Sequence, residues 1–469
     1  MRRGLVPVLA ALAAGVLTLP SQAAPVAPCA PGTAVVMHHA GGVEVHVRPT
    51  RVGCGSDTGF FTGETGIAVT PNGDVWFSAA DWEHALVRSR DDGRSWQKVV
   101  PEGAQATPGC YAATSPFTCE DNESAYNATV ADAFLWADPA TGKVFWSKTY
   151  GLAICSSLSM TPDGGRTWQA TPRFACPGGD YEKIAGGPPP AGGAKPTGYP
   201  SVLYTCTNGV APWFVVGPGR PCYASLDGGA TWSLAGMPLP SPEAPGCLHF
   251  QEPQVVSRRG TVYLPISCGA DNPAGLVRFA WSEDEARTWQ YASVPTGKAG
   301  NGSGLIGGVS IAVDAAETVY VTWKGTDNEP YLAVTADKGR TWRGPWMIAP
   351  KGVHMALVAP QVVAQRAGHV AVGYYGYRGT DSTHLNGYLT ESFDGSSAAP
   401  LFATAPVNDP RHPLYFPVSS GTLPRNDYLG VTMGPDGTPW AAFVRLLSTK
   451  PDSQGYVQST GYAGRLVTR

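Results

Sequence analysis

One eight-residue pattern recurs five times and constrains the fold more than anything else in the chain. It reads Ser89-Arg-Asp-Asp-Gly-Arg-Ser-Trp96, Thr161-Pro-Asp-Gly-Gly-Arg-Thr-Trp168 and Ser225-Leu-Asp-Gly-Gly-Ala-Thr-Trp232. Thr335-Ala-Asp-Lys-Gly-Arg-Thr-Trp342 is a fourth copy, and Ser282-Glu-Asp-Glu-Ala-Arg-Thr-Trp289 a fifth, with Ala286 in place of Gly. Each copy joins two short apolar strands, so it is a hairpin turn. The Asp carboxylate accepts backbone N–H groups of its own turn, and the Ser/Thr hydroxyls act likewise. Gly supplies the left-handed backbone position. The Trp opens the next strand and offers a large apolar face to a neighbouring sheet. Copies starting at 89, 161, 225, 282 and 335 are spaced for one small sheet per repeat, as in a propeller.

The pattern resembles the Asp-box, the bacterial neuraminidase repeat of sialidases and other Asp-box β-propeller proteins. The resemblance runs from about Glu64 to the C-terminus. It implies an all-β fold, a single β-propeller of four-stranded antiparallel blades. It also places the box between the third and fourth strands of a blade, on the face away from the active site. Asp91, Asp163, Asp227, Asp284 and Asp337 are then fold elements rather than catalysts.

Counting strand pairs gives seven units, with six as the alternative. The clearest is Gly66–Phe77, where two strands flank Pro71-Asn-Gly73. Others lie at 128–147, 199–206, 253–266, 309–323, 360–374 and 428–443. The third is the loosest, because 186–200 is rich in Gly and Pro and reads as a long loop. The sixth unit keeps a worn box at Ser392-Phe-Asp-Gly395, and the seventh has none. Its fourth strand is expected from the segment 24–63, where 43–47 alternates as a strand does and is placed to close the ring. The propeller itself is assigned to 64–469. Sialidases have six blades, so seven is a departure from them.

Residues 1–23 read as a secretory signal: Arg2 and Arg3, an apolar run, then Ser21-Gln-Ala23 as a small-x-small cleavage site. Ten cysteines with no Cys-x-x-Cys pair point to disulfides in an exported chain, extracellular or periplasmic. Pairing of sequential neighbours is the simplest arrangement: Cys29–Cys54, Cys110–Cys119, Cys155–Cys176, Cys206–Cys222 and Cys247–Cys268. A net charge of -3 gives no reason to expect nucleic acid or an anionic membrane as partner. No metal or cofactor motif is present, and a monomer is expected.

In a propeller, the entries of the inner strands and the loops after the second strands share one face. Glu64, Glu252, His354, Arg425, Asp427 and Tyr428 arrive there before inner strands. Asp81-Trp-Glu-His84, Lys324, Asp327, Tyr377, Arg378 and Arg445 arrive after second strands. This polar and aromatic collection suits a glycan or another polar extracellular ligand. The resemblance to sialidases implies roles for some of it. Arg378, Arg425 and Arg445 would clamp a substrate carboxylate through forked hydrogen bonds. Tyr428, paired with Glu252 or Glu64, would be the nucleophile, and Asp81 the acid. Apart from the resemblance, Asp81-Trp-Glu-His84 reads as an acid, a sugar-stacking platform at Trp82, a metal ligand set or a plain surface loop, and Asp427 either stands in the pit as a substrate-binding residue or caps backbone groups at the strand entry. The family's Arg-Ile-Pro motif is missing. Two functions therefore stand: a sialidase-like glycoside hydrolase, or a non-catalytic propeller that binds glycan or protein through the same face. Hydrolysis of a neutral sugar would need only paired carboxylates, Glu252 with Asp81 or Glu64.

Overall fold

The computed structural model describes residues 32–79, 86–99, 134–150, 155–171, 174–175, 183–207, 221–238, 253–268, 275–300, 308–421, 423, 429–453 and 455–468. They form seven antiparallel sheets, one per blade, arranged as a propeller ring. From first to seventh blade the inner strands are Thr65–Val69, Phe134–Ala137, Ile184–Gly187, Val255–Val256, Val309–Val313, Val353–Ala364 and Gly430–Met433. The second strands are Val75–Ala79, Val144–Tyr150, Val202–Cys206, Val262–Cys268, Val319–Lys324, Val370–Arg378 and Pro439–Pro451. Third strands follow at Leu86–Ser89, Cys155–Thr161, Cys222–Ser225, Leu276–Ser282, Pro330–Thr335, Asn386–Ser392 and Val457–Thr468. The first six blades are completed by Gln97–Val99, Gln169–Ala170, Ser233–Gly236, Gln290–Lys298, Arg343–Met347 and Leu401–Pro406.

The fifth blade shows how sequence makes a blade. Val309–Val313 and Val319–Lys324 are β-branched and aromatic runs that pair in register, Val309 opposite Trp323 and Val313 opposite Val319. Asp314 turns the chain between them by accepting the Ala316 and Thr318 N–H groups at 2.8 and 3.0 Å. Every second strand carries a buried aromatic ring: Trp76, Trp146, Tyr204, Tyr263, Tyr320, Tyr374 and Trp440. Each ring is worth roughly 1.5–3 kcal/mol in burial, so the apolar cores lie between blades and hold them face to face.

The recurrent turns link third and fourth strands. In the first, Ser89 Oγ donates to Asp91 Oδ1 at 2.8 Å and accepts from the Gly93 N–H at 2.8 Å. The Ser/Thr before the Trp donates to the Asp at 2.6–2.8 Å in all five copies. The bonds to the Thr167 N–H and hydroxyl hold the Asp163 carboxyl down at about 2. Ala286 takes the Gly position with φ 65°, a left-handed backbone that a Cβ disfavours. The Trp packs onto the preceding blade: Trp168 against Trp76 at 6.3 Å, Trp232 against Phe174 at 4.7 Å and Trp342 against Phe279 at 5.9 Å. The worn sixth copy keeps its start, with Ser392 Oγ 2.9 Å from Asp394.

Arg51–Asp57 supplies the fourth strand of the seventh blade, paired along Val457–Thr468 from Asp57 opposite Tyr462 to Arg51 opposite Thr468. This corrects the expectation for 43–47. Val43–Glu44 instead pairs with Val36–His39, which lies outside the fourth strand of the sixth blade. The alternation at 43–47 covers nothing: Val43 and Val47 are 63% and 46% exposed. The strand that closes the ring is selected by smallness instead. A Cβ on Gly53 would collide with the Pro406 carbonyl, and one on Gly55 with the Tyr462 ring. The third blade also differs from expectation. Its inner strand is Ile184–Gly187, so the Gly/Pro-rich loop runs inside the blade between its first and second strands. Cys206–Cys222 is a disulfide that ties the second strand of this blade to its third. Cys54 is also disulfide-bonded.

A buried charge cluster secures the closing strand. Arg51 Nε lies 3.0 Å from Glu391 Oε2 in the sixth blade, an ion pair in which the N–H is not aimed at the oxygen. His369 Nε2 is 2.8 Å from the other Glu391 oxygen. The Arg51 guanidinium and the His369 ring both lie on Phe393, at 5.1 and 4.5 Å.

Candidate functional site

The inner strands of all seven blades line one cavity on the ring axis, with a volume of about 360 Å³. Much of its wall is apolar, with Ile67, Leu135, Val255 and Val431 among the residues facing it. Thr65, Lys183 and Gln254 are polar lining residues at or just before strand starts, while Glu64, 1% exposed and directly before the inner strand of the first blade, is not among the lining residues. Lys183, buried before the third, holds its ammonium 4.7 Å from the centre of the Phe134 ring. Gln254, before the fourth, donates from Nε2 to the Lys183 and Tyr204 carbonyls, the latter at 2.7 Å. Its Oε1 has no hydrogen-bond partner among the described residues, and neither does Nε2 of Gln361, where pairing of the sixth blade's inner strand resumes after a register shift. Sequence reasoning passed over both glutamines. A polar residue interrupting an apolar inner strand was the available signal.

A second cluster stands on the same face between the fifth and sixth blades. His354 Nδ1 is hydrogen-bonded to Glu329 Oε1, and the Tyr377 ring lies 5.4 Å from the imidazole. Burial raises the Glu329 carboxyl above its usual range, with His354 pulling the other way. Beside it, Tyr331 donates to Asp327 at 2.7 Å and stacks on Trp323 at 5.7 Å. The pair can pass a proton between carboxyl and imidazole, and the ring remains one-third exposed. His354, Asp327 and Tyr377 were expected on this face. Glu329 was missed because it sits inside a short loop with no motif around it.

The remaining expected residues divide in two. Arg445 points along its own blade, with Nη1 2.7 Å from Asp57 on the closing strand and its guanidinium 6.0 Å from the Tyr462 ring. Arg378 ends the second strand of the sixth blade and is exposed. Asp81, Trp82, Glu252, Arg425, Asp427 and Tyr428 lie outside the described residues. No group of three or more His, Cys, Asp or Glu able to hold a metal occurs among the described residues. No helix among them is long and apolar enough to cross a membrane.

No protein-family profile matches the chain, and no curated protein does either. Solved structures of similar architecture exist. The Aleuria aurantia lectin, a six-bladed β-propeller that recognises fucose, is 12% identical over 76% of this chain and 99% of its own, with a TM-score of 0.43. The Hadza microbial sialidase Hz136 is 13% identical over 87% of this chain and 68% of its own, with a TM-score of 0.38. The α-L-arabinofuranosidase Arb93A from Fusarium graminearum is 11% identical over 80% of this chain and 98% of its own, with a TM-score of 0.43. Identities and scores this low carry no argument about what this chain does.

Proposed function

We propose that this chain is a secreted, monomeric Asp-box propeller that acts on extracellular glycans as a glycoside hydrolase, with its site at the axial cavity. One observation supports the reading: the inner strands of all seven blades line a cavity sized for a small ligand. In the paired-carboxylate form Glu64, which directly precedes the inner strand of the first blade, is one member, and Glu252 or Asp81 is the proposed second. In the sialidase form of the reading, Tyr428 is the nucleophile, Arg378, Arg425 and Arg445 hold the substrate carboxylate, and Trp82 and Asp427 complete the pocket. The Arg445–Asp57 ion pair favours a second reading, in which the same face binds glycan without cleaving it, because that guanidinium already has a carboxylate partner.

The test is hydrolysis of a fluorogenic sialoside, beside a panel of neutral glycosides, by the purified mature chain. The hydrolase reading expects turnover that falls at least a hundredfold in Glu64→Gln. Turnover of the sialoside lost in Arg425→Ala and Tyr428→Phe would establish the sialidase form. Silence across the panel from folded protein overturns hydrolysis and leaves the binding reading.

A further inference from the structure

The imidazole of His354 is held at one edge and open at the other. Nδ1 is hydrogen-bonded to Glu329 Oε1, so the proton belongs on Nδ1 and Nε2 keeps a free lone pair. Nε2 has no hydrogen-bond partner among the described residues and is not buried, and one-third of the side chain is exposed. The carboxylate behind it is fixed through its loop, 325–329. The Met355 N–H of the sixth blade's inner strand donates to the Asn328 carbonyl at 2.9 Å, and the Gly325 N–H donates to the Glu329 carbonyl at 2.8 Å. Asp327 accepts the Glu329 N–H at 3.2 Å and the Tyr331 hydroxyl at 2.7 Å. Glu329 Oε2 is buried without a partner, so among the described residues His354 is the side chain that answers this carboxylate. A buried carboxylate left half-satisfied behind an accessible imidazole calls for an explanation. Tyr377 stands directly opposite His354 in the strand pairing, half-buried, and its hydroxyl has no hydrogen-bond partner among the described residues.

We propose that His354 is the general base of a second site, one that hydrolyses short acyl esters of polar alcohols, with Glu329 as its positioning residue. This goes beyond the glycan reading and stands without it. No Ser, Thr or Cys side chain bonds Nε2 among the described residues, so water is the nucleophile. Nε2 takes a proton from water as the water oxygen bonds to the acyl carbon, and the carbonyl electron pair moves onto its oxygen. The free Tyr377 hydroxyl is the donor available to that oxyanion. Collapse re-forms the carbonyl and breaks the bond to the alcohol oxygen, which takes the proton back from Nε2. The products are a carboxylic acid and an alcohol. Glu329 keeps the Nδ1 tautomer and favours the imidazolium formed midway. An acetal accepts no nucleophile until an acid protonates its leaving oxygen, whereas an ester carbonyl accepts hydroxide directly, so the substrate is an ester. Asp327 and Arg378, both exposed, lie two residues from Glu329 and next to Tyr377 in the chain. A charged, open surface of this kind suits an acetyl group on a polar alcohol and not a lipid chain.

The experiment is acetate release from 4-nitrophenyl acetate and glucose pentaacetate by the full mature chain, followed as a function of pH, beside His354→Gln and Glu329→Gln. The expected result is turnover that falls roughly a hundredfold or more in His354→Gln, with the unfolding midpoint unchanged. In the parent the rate should rise with pH as the imidazole gives up its proton. In Glu329→Gln the amide still accepts the Nδ1 hydrogen bond but no longer favours the imidazolium, so the rising limb should move to lower pH. A Glu329 that serves only the fold would change the midpoint and leave the limb in place, which overturns its positioning role. Equal turnover in the parent and His354→Gln overturns the assignment, as does silence on both esters from folded parent. If His354→Gln loses activity together with several degrees of midpoint, His354→Ala with added imidazole decides. Glucose pentaacetate turnover recovered above the protein-free control upholds the base, and none overturns it.

Discussion

Replacing Arg51 by Met should show what the buried charge cluster does for ring closure. Glu391 is 0% exposed and Arg51 13%, so neither charge is well hydrated. At 3.0 Å and an effective dielectric of about 20, their attraction is roughly 5 kcal/mol. Arg51→Met would remove the charged partner of Glu391 Oε2 and leave only His369 on the other oxygen; breaking a buried pair typically costs about 3–5 kcal/mol. With His369 still in place, the expected penalty is at the lower end, about 3 kcal/mol. Urea unfolding followed by tryptophan fluorescence measures it. A penalty under about 1 kcal/mol would refute the reasoning. Replacing both partners, in Arg51→Met/Glu391→Leu, should recover much of the loss, since an apolar pair leaves no charge to desolvate.

Two further outcomes follow from the fold. Hydrogen bonds from the Thr341 hydroxyl and N–H and from Thr335 hold the Asp337 carboxyl at about 2, so its stabilisation is complete above the ordinary carboxylate range and is lost as pH falls from about 4 toward 2. Asp337→Asn should flatten the acid side of the stability profile in that window, and an unchanged profile would count against the turn. Cys206–Cys222 closes a loop with a sequence separation of 16, so Cys206→Ala/Cys222→Ala should lose about 3 kcal/mol in urea unfolding. No loss would mean that the strand ladder alone holds the third blade.

The blades were legible because their signals are local. A Pro-Asn-Gly turn between β-branched runs, or Asp and Thr at fixed offsets before a Trp, decides a hairpin within ten residues. Ring closure was not local. Arg51–Asp57 carries two glycines and no apolar alternation; it is a strand through its pairing with Val457–Thr468, and its glycines fit where Tyr462 and Pro406 leave no room for a Cβ. The pattern at 43–47 looked more like a strand and faces solvent. The site was legible only in part for the same reason. Residue types at strand entries could be enumerated, but their partners could not. That Arg445 turns to Asp57, and that His354 meets Glu329, depends on pairings hundreds of residues apart or across a blade junction.

The pairing of 51–57 with 457–468 also bears on the order of assembly. Residues 51–57 emerge from the ribosome some four hundred positions before their partner exists. Through that interval Thr33–Ala34 can cover only one side of them, and the other is an open edge, the kind of surface that recruits foreign strands. Their low apolar content and glycines make them a poor template for such pairing. The features that hid this strand from sequence reading thus protect the nascent chain until the ring can shut.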